Sequence, residues 1–323
     1  MSCYTQSWAR GTPDLVGRRR KGRPIHGWLV IDKEPGMTSS NVVNKARHIL
    51  NAQKVGHGGT LDPMATGILP LAFGEATKTV SYIMDGTKEY SFTVRWGESR
   101  DTDDAEGNVT GTSSHRPDEA AICDVLPRFT GEIDQVPPAY SAVKLAGRRA
   151  YDMARAEEAV DLKARTILIK SIELAEIPDK DHATFRVVSG KGAYMRGLAR
   201  DIALAVGTLG HVSALRRVSL GPFTAEDAIS LDKLSELGHI APVKDILKPV
   251  RTALDDIPAL AMTEEEARRL RCGQAISALQ VARRTSLTNL NQGDTIFAMT
   301  EGKPIALARF EGGEIRPFRI LNL

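Results

Sequence analysis

The run Gly56-His57-Gly58-Gly59-Thr60-Leu61-Asp62-Pro63-Met64-Ala65-Thr66-Gly67 constrains this chain more than any other stretch. Its glycines permit positive φ and close backbone approach. Pro63 biases Asp62 away from helical geometry and removes an N–H donor. The run therefore predicts a rigid, irregular loop that holds one carboxylate, Asp62, and one imidazole, His57. Catalytic groups concentrate on loops held by a rigid scaffold. Glycine pairs and Asp-Pro steps also make ordinary connections, so residue types alone leave both readings open.

The surrounding sequence supplies the scaffold. Residues 27–32 read as a first strand. Ser39 or Ser40 can cap a helix whose apolar positions Val42, Val43, Ala46, Ile49 and Leu50 recur at helical spacing. Between Gly86 and Gly97, Tyr90, Phe92, Val94 and Trp96 alternate with Ser91, Thr93 and Arg95, the pattern of a strand with one buried face. The acidic run Arg100-Asp101-Thr102-Asp103-Asp104-Ala105-Glu106-Gly107 reads, on residue types, as a solvated loop. Residues 118–130 look helical, and Pro137-Pro138 then demands an extended segment. Next, Lys144, Arg148 and Arg149 interleave with Tyr140 and Tyr151, a composition suited to gripping phosphates and stacking on bases.

Strand-like runs follow near residues 166–169 and 183–189. The glycine-rich turn at 189–197 opens a helix with Leu198, Ile202 and Val206 on one face. Glycines ahead of a helix suit an anion-binding turn, but the Gly-Lys-Ser/Thr of a nucleotide-binding loop is missing. After about residue 250 a helix at 263–272 and strands near 295–299 and 304–310 predict a small β-rich unit.

Composition bounds the classes. At 323 residues the chain can hold one large domain and a small one. No apolar run is long enough to span a bilayer, and no signal-peptide core opens the chain. Cys3, Cys123 and Cys272 are far apart and lack metal-ligand spacing, so reduced thiols in a cytoplasmic protein are expected. A formal net charge of +3 says little about partners. Local clusters say more, such as the basic run Arg18-Arg19-Arg20-Lys21-Gly22-Arg23 within a polar tail.

Continued through Ile68-Leu69-Pro70 and Gly74-Glu75-Ala76-Thr77-Lys78, the loop run resembles the catalytic motif of the TruB family of pseudouridine synthases. Three more stretches carry the same resemblance: Lys33-Glu34-Pro35-Gly36-Met37-Thr38-Ser39, Lys191-Gly192-Ala193-Tyr194-Met195-Arg196, and Leu215-Arg216-Arg217. Glu34 stands where the family usually has proline. The motif-bearing part covers roughly residues 27–225.

The resemblance implies an α+β chain of the pseudouridine-synthase fold, with a mixed or antiparallel sheet core. It divides the sequence into a basic flexible tail (1–25), a catalytic domain (26–250) with an RNA-binding insert at about 134–160, and a small β-rich PUA-like RNA-binding domain (251–323). It implies isomerisation of uridine to pseudouridine in the T loop of tRNA, at tRNA position 55. Asp62 is then the catalytic aspartate, Tyr90 stacks on the target base, and Arg196 pairs with Asp62.

The substrate-binding set by resemblance is His57, Lys78, Asp104, Tyr194 and Leu215, with Lys144, Arg148 and Arg149 in the insert. No metal and no cofactor are expected. The expected partner is the T-arm stem-loop of tRNA, met by a monomer with no guide RNA and no membrane. Two other classes stay open. One is a module that remodels tRNA without catalysis. The other is a glycosidic hydrolase using Asp62 and Asp104 as a carboxylate pair.

Overall fold

The computed structural model describes residues 22–323 apart from 142–143, 146–147, 150–152, 154–155, 157–161, 241 and 285–289. Residues 1–21, with most of the expected basic tail, and much of the expected insert thus lie outside the described residues. In chain order the first strands are β1 Gly27–Lys33, β2 Val55–His57, β3 Thr66–Phe73, β4 Lys88–Trp96, β5 Glu98–Arg100 and β6 Val109–Thr112. They are followed by β7 Gly131–Gln135, β8 Lys144–Leu145, β9 Arg148–Arg149, β10 Arg165–Asp179, β11 His182–Ser189, β12 Gly210–Leu220 and β13 Ala228–Ile229.

Nine of these strands form one sheet in the order β13-β1-β3-β12-β4-β11-β10-β7, with β2 paired to β3 off that path. Most pairs are antiparallel, while β1–β13 and β12–β3 are parallel, so the sheet is mixed as expected. β4 is buried at Tyr90, Phe92, Val94 and Trp96 and less so between them, as its alternation predicts. β12 was not anticipated as a strand, yet it separates β3 from β4. It pairs with β3 only at Arg216–Thr66 and Arg217–Gly67.

The helices Ser39–Ile49 and Met195–Ala205 cover one face of the sheet, where Val42, Ala46, Leu198 and Ile202 join Phe92, Val94 and Phe185 in the main core. A second cluster covers the other face, with Trp28 tilted against Phe223 at 5.3 Å and Ile83 beside them. The first helix is capped by Thr38, whose Oγ1 accepts from the Asn41 N–H, and not by Ser39 or Ser40. Ser39 faces inward and serves the Asp62 loop instead. The segment expected to be helical over 118–130 is a helix at Glu119–Val125 followed by a 3-10 turn at Leu126–Phe129.

The chain ends in a five-stranded sheet made of β14 Ala259–Ala261, β15 Ile276–Ser277, β16 Thr295–Thr300, β17 Lys303–Glu311 and β18 Glu314–Ile320. The expected helix is there at Glu264–Arg271, closed at its start by a Thr263–Glu266 capping box. This unit docks on the turn that follows β3. Tyr82 packs with Leu254, Phe297 and Leu307. The Lys78 Nζ donates to Glu75 Oε2 and to the Ile320 carbonyl, both at 2.7 Å, and the Asn322 N–H donates to Glu75 at 2.8 Å.

Burial would raise the Glu75 carboxyl. The hydrogen bonds from Lys78 and the Asn322 N–H, with the Lys78 charge, outweigh it and hold Glu75 below its ordinary value. A depressed carboxylate stabilises the docked arrangement above its unfolded pKa and loses that contribution as pH falls through the folded one. Glu75→Gln should therefore lower the thermal midpoint at neutral pH, with the gap to the parent protein closing as pH drops below about 4. A gap independent of pH would show that Glu75 acts there without its charge.

Candidate active site

The loop between β2 and β3 has few hydrogen bonds of its own, as its composition predicts. Neighbouring segments hold it. Ser39 Oγ donates to the Leu61 carbonyl at 3.1 Å and accepts from the Leu61 N–H at 2.9 Å. The Gly36 N–H donates to the Pro63 carbonyl at 2.9 Å. Lys33, 1% exposed, donates from Nζ to the carbonyls of Glu34 and Pro63 at 2.9 Å and of Ala65 at 2.6 Å. Burial lowers the Lys33 pKa to about 8, and the carboxylates of Asp62 and Glu106 oppose that. At Gly67 the backbone lies so close to β12 that a Cβ would come within 2.2 Å of the Arg217 carbonyl, and φ is +97°. Only glycine fits there.

So fixed, the loop presents Asp62 to Arg196. The guanidinium meets the carboxylate with two parallel bonds, Nε to Oδ2 at 2.9 Å and Nη2 to Oδ1 at 3.1 Å. Arg196 is buried in the first turn of the helix Met195–Ala205, while a third of the Asp62 side chain is exposed. The same guanidinium donates to the carbonyls of Thr102 and Tyr140, both at 2.9 Å, and lies 3.4 Å from Asp104 Oδ2. One side chain thus ties the loop, the acidic run and the start of the expected insert to a single point.

The acidic run is folded, not merely solvated. Asp104 is buried, and its Oδ1 accepts from Thr102 Oγ1 at 2.6 Å and from the Glu106 N–H at 3.0 Å. Asp103 sits at a φ of +59° and pairs with Arg200 at 2.9 Å. Arg100 donates to the carbonyls of Ala105 and Gly107.

The remaining expected residues fall into three places. Tyr194 stands beside the Asp62–Arg196 pair. Gln135 holds it by both backbone groups, accepting from its N–H at 2.8 Å and donating to its carbonyl at 3.0 Å. Burial pushes the Tyr194 hydroxyl above its ordinary value, and the Asp62 carboxylate adds to the push. Tyr90 and Leu215 lie on facing strands, Tyr90 opposite Arg217 and Leu215 opposite Phe92, so all four share one face. His57 is half-buried, with Nδ1 accepting from the Gly59 N–H at 3.3 Å. Burial, then Arg217, lowers its pKa.

Lys78 is elsewhere, at the junction with the C-terminal sheet, because its ammonium is bound by Glu75 and by β18. Lys144 and Arg149 stand on the small β8–β9 pair, but their side chains lie outside the described residues. Arg148 is exposed.

Lys33, Gln135 and Arg217 were not singled out by sequence reasoning, and Ser39 was only as a helix cap. Each acts on backbone groups of a distant segment, and a residue's own neighbours in sequence carry no sign of that. The one available sign was their membership of the motif-bearing stretches, Lys33 and Ser39 in one and Arg217 in another.

Comparison with known proteins identifies the family and the fold. Residues 47–195 match the N-terminal domain of the TruB family pseudouridylate synthases, and residues 196–255 match the tRNA pseudouridylate synthase B C-terminal domain. The terminal five-stranded sheet lies beyond both segments. A tRNA pseudouridine synthase B of Rhodospirillum rubrum is 62% identical over 308 residues, covering 95% of this chain and 100% of the relative. A protein of the same name from Gluconacetobacter diazotrophicus is 56% identical over 305 residues, covering 94% and 100%. Among solved structures, a chain of a Cbf5-Nop10-Gar1 complex superposes with a TM-score of 0.70 at 27% identity, covering 92% of this chain and 85% of that one. A chain of an H/ACA RNP bound to a substrate RNA, at 24% identity and the same TM-score, shares the fold.

The geometry of Arg196 gives a direct test. Lysine keeps the charge but has no planar fork, so Arg196→Lys cannot serve Asp62, Thr102 and Tyr140 together. Each buried carbonyl left unpaired costs about 1–3 kcal/mol, and the thermal midpoint should fall accordingly. An unchanged midpoint would mean that the three segments are held together by other contacts.

Proposed function

The chain belongs to the TruB family of pseudouridylate synthases, and from that membership we propose that it converts the T-loop uridine of tRNA, at tRNA position 55, to pseudouridine. The observation that carries the proposal is the carboxylate of Asp62, held bidentate by a buried guanidinium in the loop that enters β3, with Tyr194 beside the pair.

The reaction breaks the bond from C1′ to N1, turns the base, and joins C1′ to C5. Redox state is unchanged and no group enters or leaves, so the chemistry asks for neither metal nor coenzyme. It does ask for a fixed carboxylate in a largely dry pocket. Asp62 meets the electron deficit at the sugar, and Arg196 holds it aimed through two parallel hydrogen bonds. Tyr90 stacks on the base, with Tyr194 and Leu215 as walls. Base–aromatic stacking of about 1–3 kcal/mol offsets part of the cost of extracting the nucleotide. His57 props the opened loop, and Asp104 keeps the acidic run closed over the site.

Lys144, Arg148 and Arg149 in the insert grip the RNA backbone, whereas Lys78 is held at the seam with the terminal sheet. The terminal sheet is a PUA-like RNA-binding unit. The protein acts as a monomer in the cytoplasm, on tRNA directly and without a guide RNA. The 62% identity with a named tRNA pseudouridine synthase B favours that over a guided assembly.

The test is to incubate the protein alone with an unmodified T-arm hairpin and analyse the nucleosides. Pseudouridine without free uracil is the expected product. Free uracil would instead support the hydrolase reading, and an unchanged hairpin a binding module. Asp62→Asn keeps the shape and removes the charge. It should bind the hairpin with near-parent affinity and lose turnover by about 10⁴-fold or more, as expected when the central group of a site is removed. Near-normal single-turnover conversion by this variant would sink the assignment of Asp62.

A further inference from the structure

Arg217 is 1% exposed and makes no ion pair among the described residues, although its neighbour Arg216 is paired bidentate with Asp32. Its guanidinium is spent on neutral acceptors. Nε donates to the Ile68 carbonyl at 2.7 Å and Nη2 to the Gly59 carbonyl at 3.0 Å. The Tyr90 hydroxyl lies against it from the facing strand, at the directly opposed position of the β4–β12 ladder.

Burial draws the Arg217 pKa down, but a guanidinium stays charged in proteins. A buried cation without a counter-ion is costly, and evolution usually supplies a carboxylate. The other groups facing this spot do not supply one. His57 is pushed toward its neutral form by burial and then by Arg217. Lys88 donates to the carbonyls of Met84 and Gly86, with its pKa lowered to about 8 by burial first and Arg217 second. The one carboxylate that acts on Lys88 among the described residues, Asp85, is half-exposed and paired with Lys191 at 2.7 Å. The floor beneath Tyr90 thus holds the Arg217 charge with no carboxylate on it among the described residues.

We propose that Arg217 is a positioning residue whose uncompensated charge, presented through the Tyr90 hydroxyl, holds the uracil as an anion after it has left the sugar. This rests on the function proposed above, in which Tyr90 stacks on the base before cleavage; its hydroxyl acts on the base once it has detached and turns. A guanidinium has donors only, so a hydrogen bond in this pair runs from Arg217 to Tyr90 Oη. The hydroxyl proton is then free to be donated into the pocket.

The chemistry supplies the matching charge. The C1′–N1 bond breaks with its electron pair on the base, leaving a delocalised uracil anion, while Asp62 meets the deficit at the sugar. A pair from the base then forms the C1′–C5 bond. The C5 proton is lost as N1 gains one, so the proton count is unchanged. Between the two bonds the base is anionic and unattached, and preorganised donors aimed at developing charge are worth most there. An acidic group beneath Tyr90 would repel it, which explains why the cation is left unpaired.

The test compares two leaving groups. A T-arm hairpin carries uridine or 5-fluorouridine at the target position, and single-turnover loss of the target nucleoside is followed. Fluorine makes the base more acidic, so its anion needs less help. Arg217→Met should slow the uridine substrate by about 10²–10³-fold, the usual effect of removing one such donor, with KM little changed. The slowing on 5-fluorouridine should be smaller by roughly tenfold, about 1.4 kcal/mol of the barrier.

Tyr90→Phe, which leaves the guanidinium in place, should show the same dependence and serves if Arg217→Met does not fold. Equal slowing of both substrates overturns the inference and leaves Arg217 a purely structural residue. Failure of the parent protein to convert either hairpin overturns both the proposed function and this inference.

Discussion

The Arg196 guanidinium is the interaction on which the rest of the site depends. It meets Asp62, the Thr102 carbonyl, the Tyr140 carbonyl and the edge of Asp104 from one buried position. Those groups come from three segments far apart in the chain, and none has a regular ladder to hold it. A planar fork with five donors can satisfy them at once, which an ammonium cannot. The carboxylate is thereby oriented by the same contact that closes the fold around it, so site geometry and local stability are one property here.

A second consequence concerns how an irregular loop is kept rigid. Backbone groups in a loop must find partners as surely as those in a helix. Around Asp62 the partners are side chains on regular elements: Lys33 at the end of β1, Ser39 at the start of a helix, and Arg217 on β12. Each reaches the loop with a long or inward-pointing side chain and spends its donors on carbonyls. Two of the three are buried cations, so the loop's rigidity depends on charge placed under the sheet. On the inference drawn above, the charge of Arg217 is also put to chemical use.

The terminal sheet is joined to the nine-stranded sheet at the turn that directly follows β3. Glu75, Lys78 and Tyr82 lie within a dozen residues of the strand that ends the Asp62 loop. Lys78, expected from the resemblance to contact substrate, is engaged with the Ile320 carbonyl at this seam.

The sequence by itself determined the parts that follow from local rules. The alternation through Tyr90, Phe92, Val94 and Trp96 could only be a half-buried strand, and the glycines and Pro63 around Asp62 could only be an irregular loop. The motif run was long enough to indicate the family and, with it, the pairing of Asp62 with Arg196. Single positions were less legible. Ser39 looked like a helix cap, but Thr38 performs that role, because Ser39 is claimed by the Leu61 backbone 22 residues away. The acidic run looked solvated, yet Asp104 is buried, because Arg100, Arg196 and Arg200 surround its loop. β12 carried no clean alternation, since it places Arg217 inside, and a buried arginine reads as a surface residue in any pattern of polarity. What only the tertiary structure decided is therefore what distant segments ask of one another. Backbone carbonyls accept wherever the fold brings them, and nothing in the identity of Ile68, Gly59 or Tyr140 announces that an arginine will come to meet it.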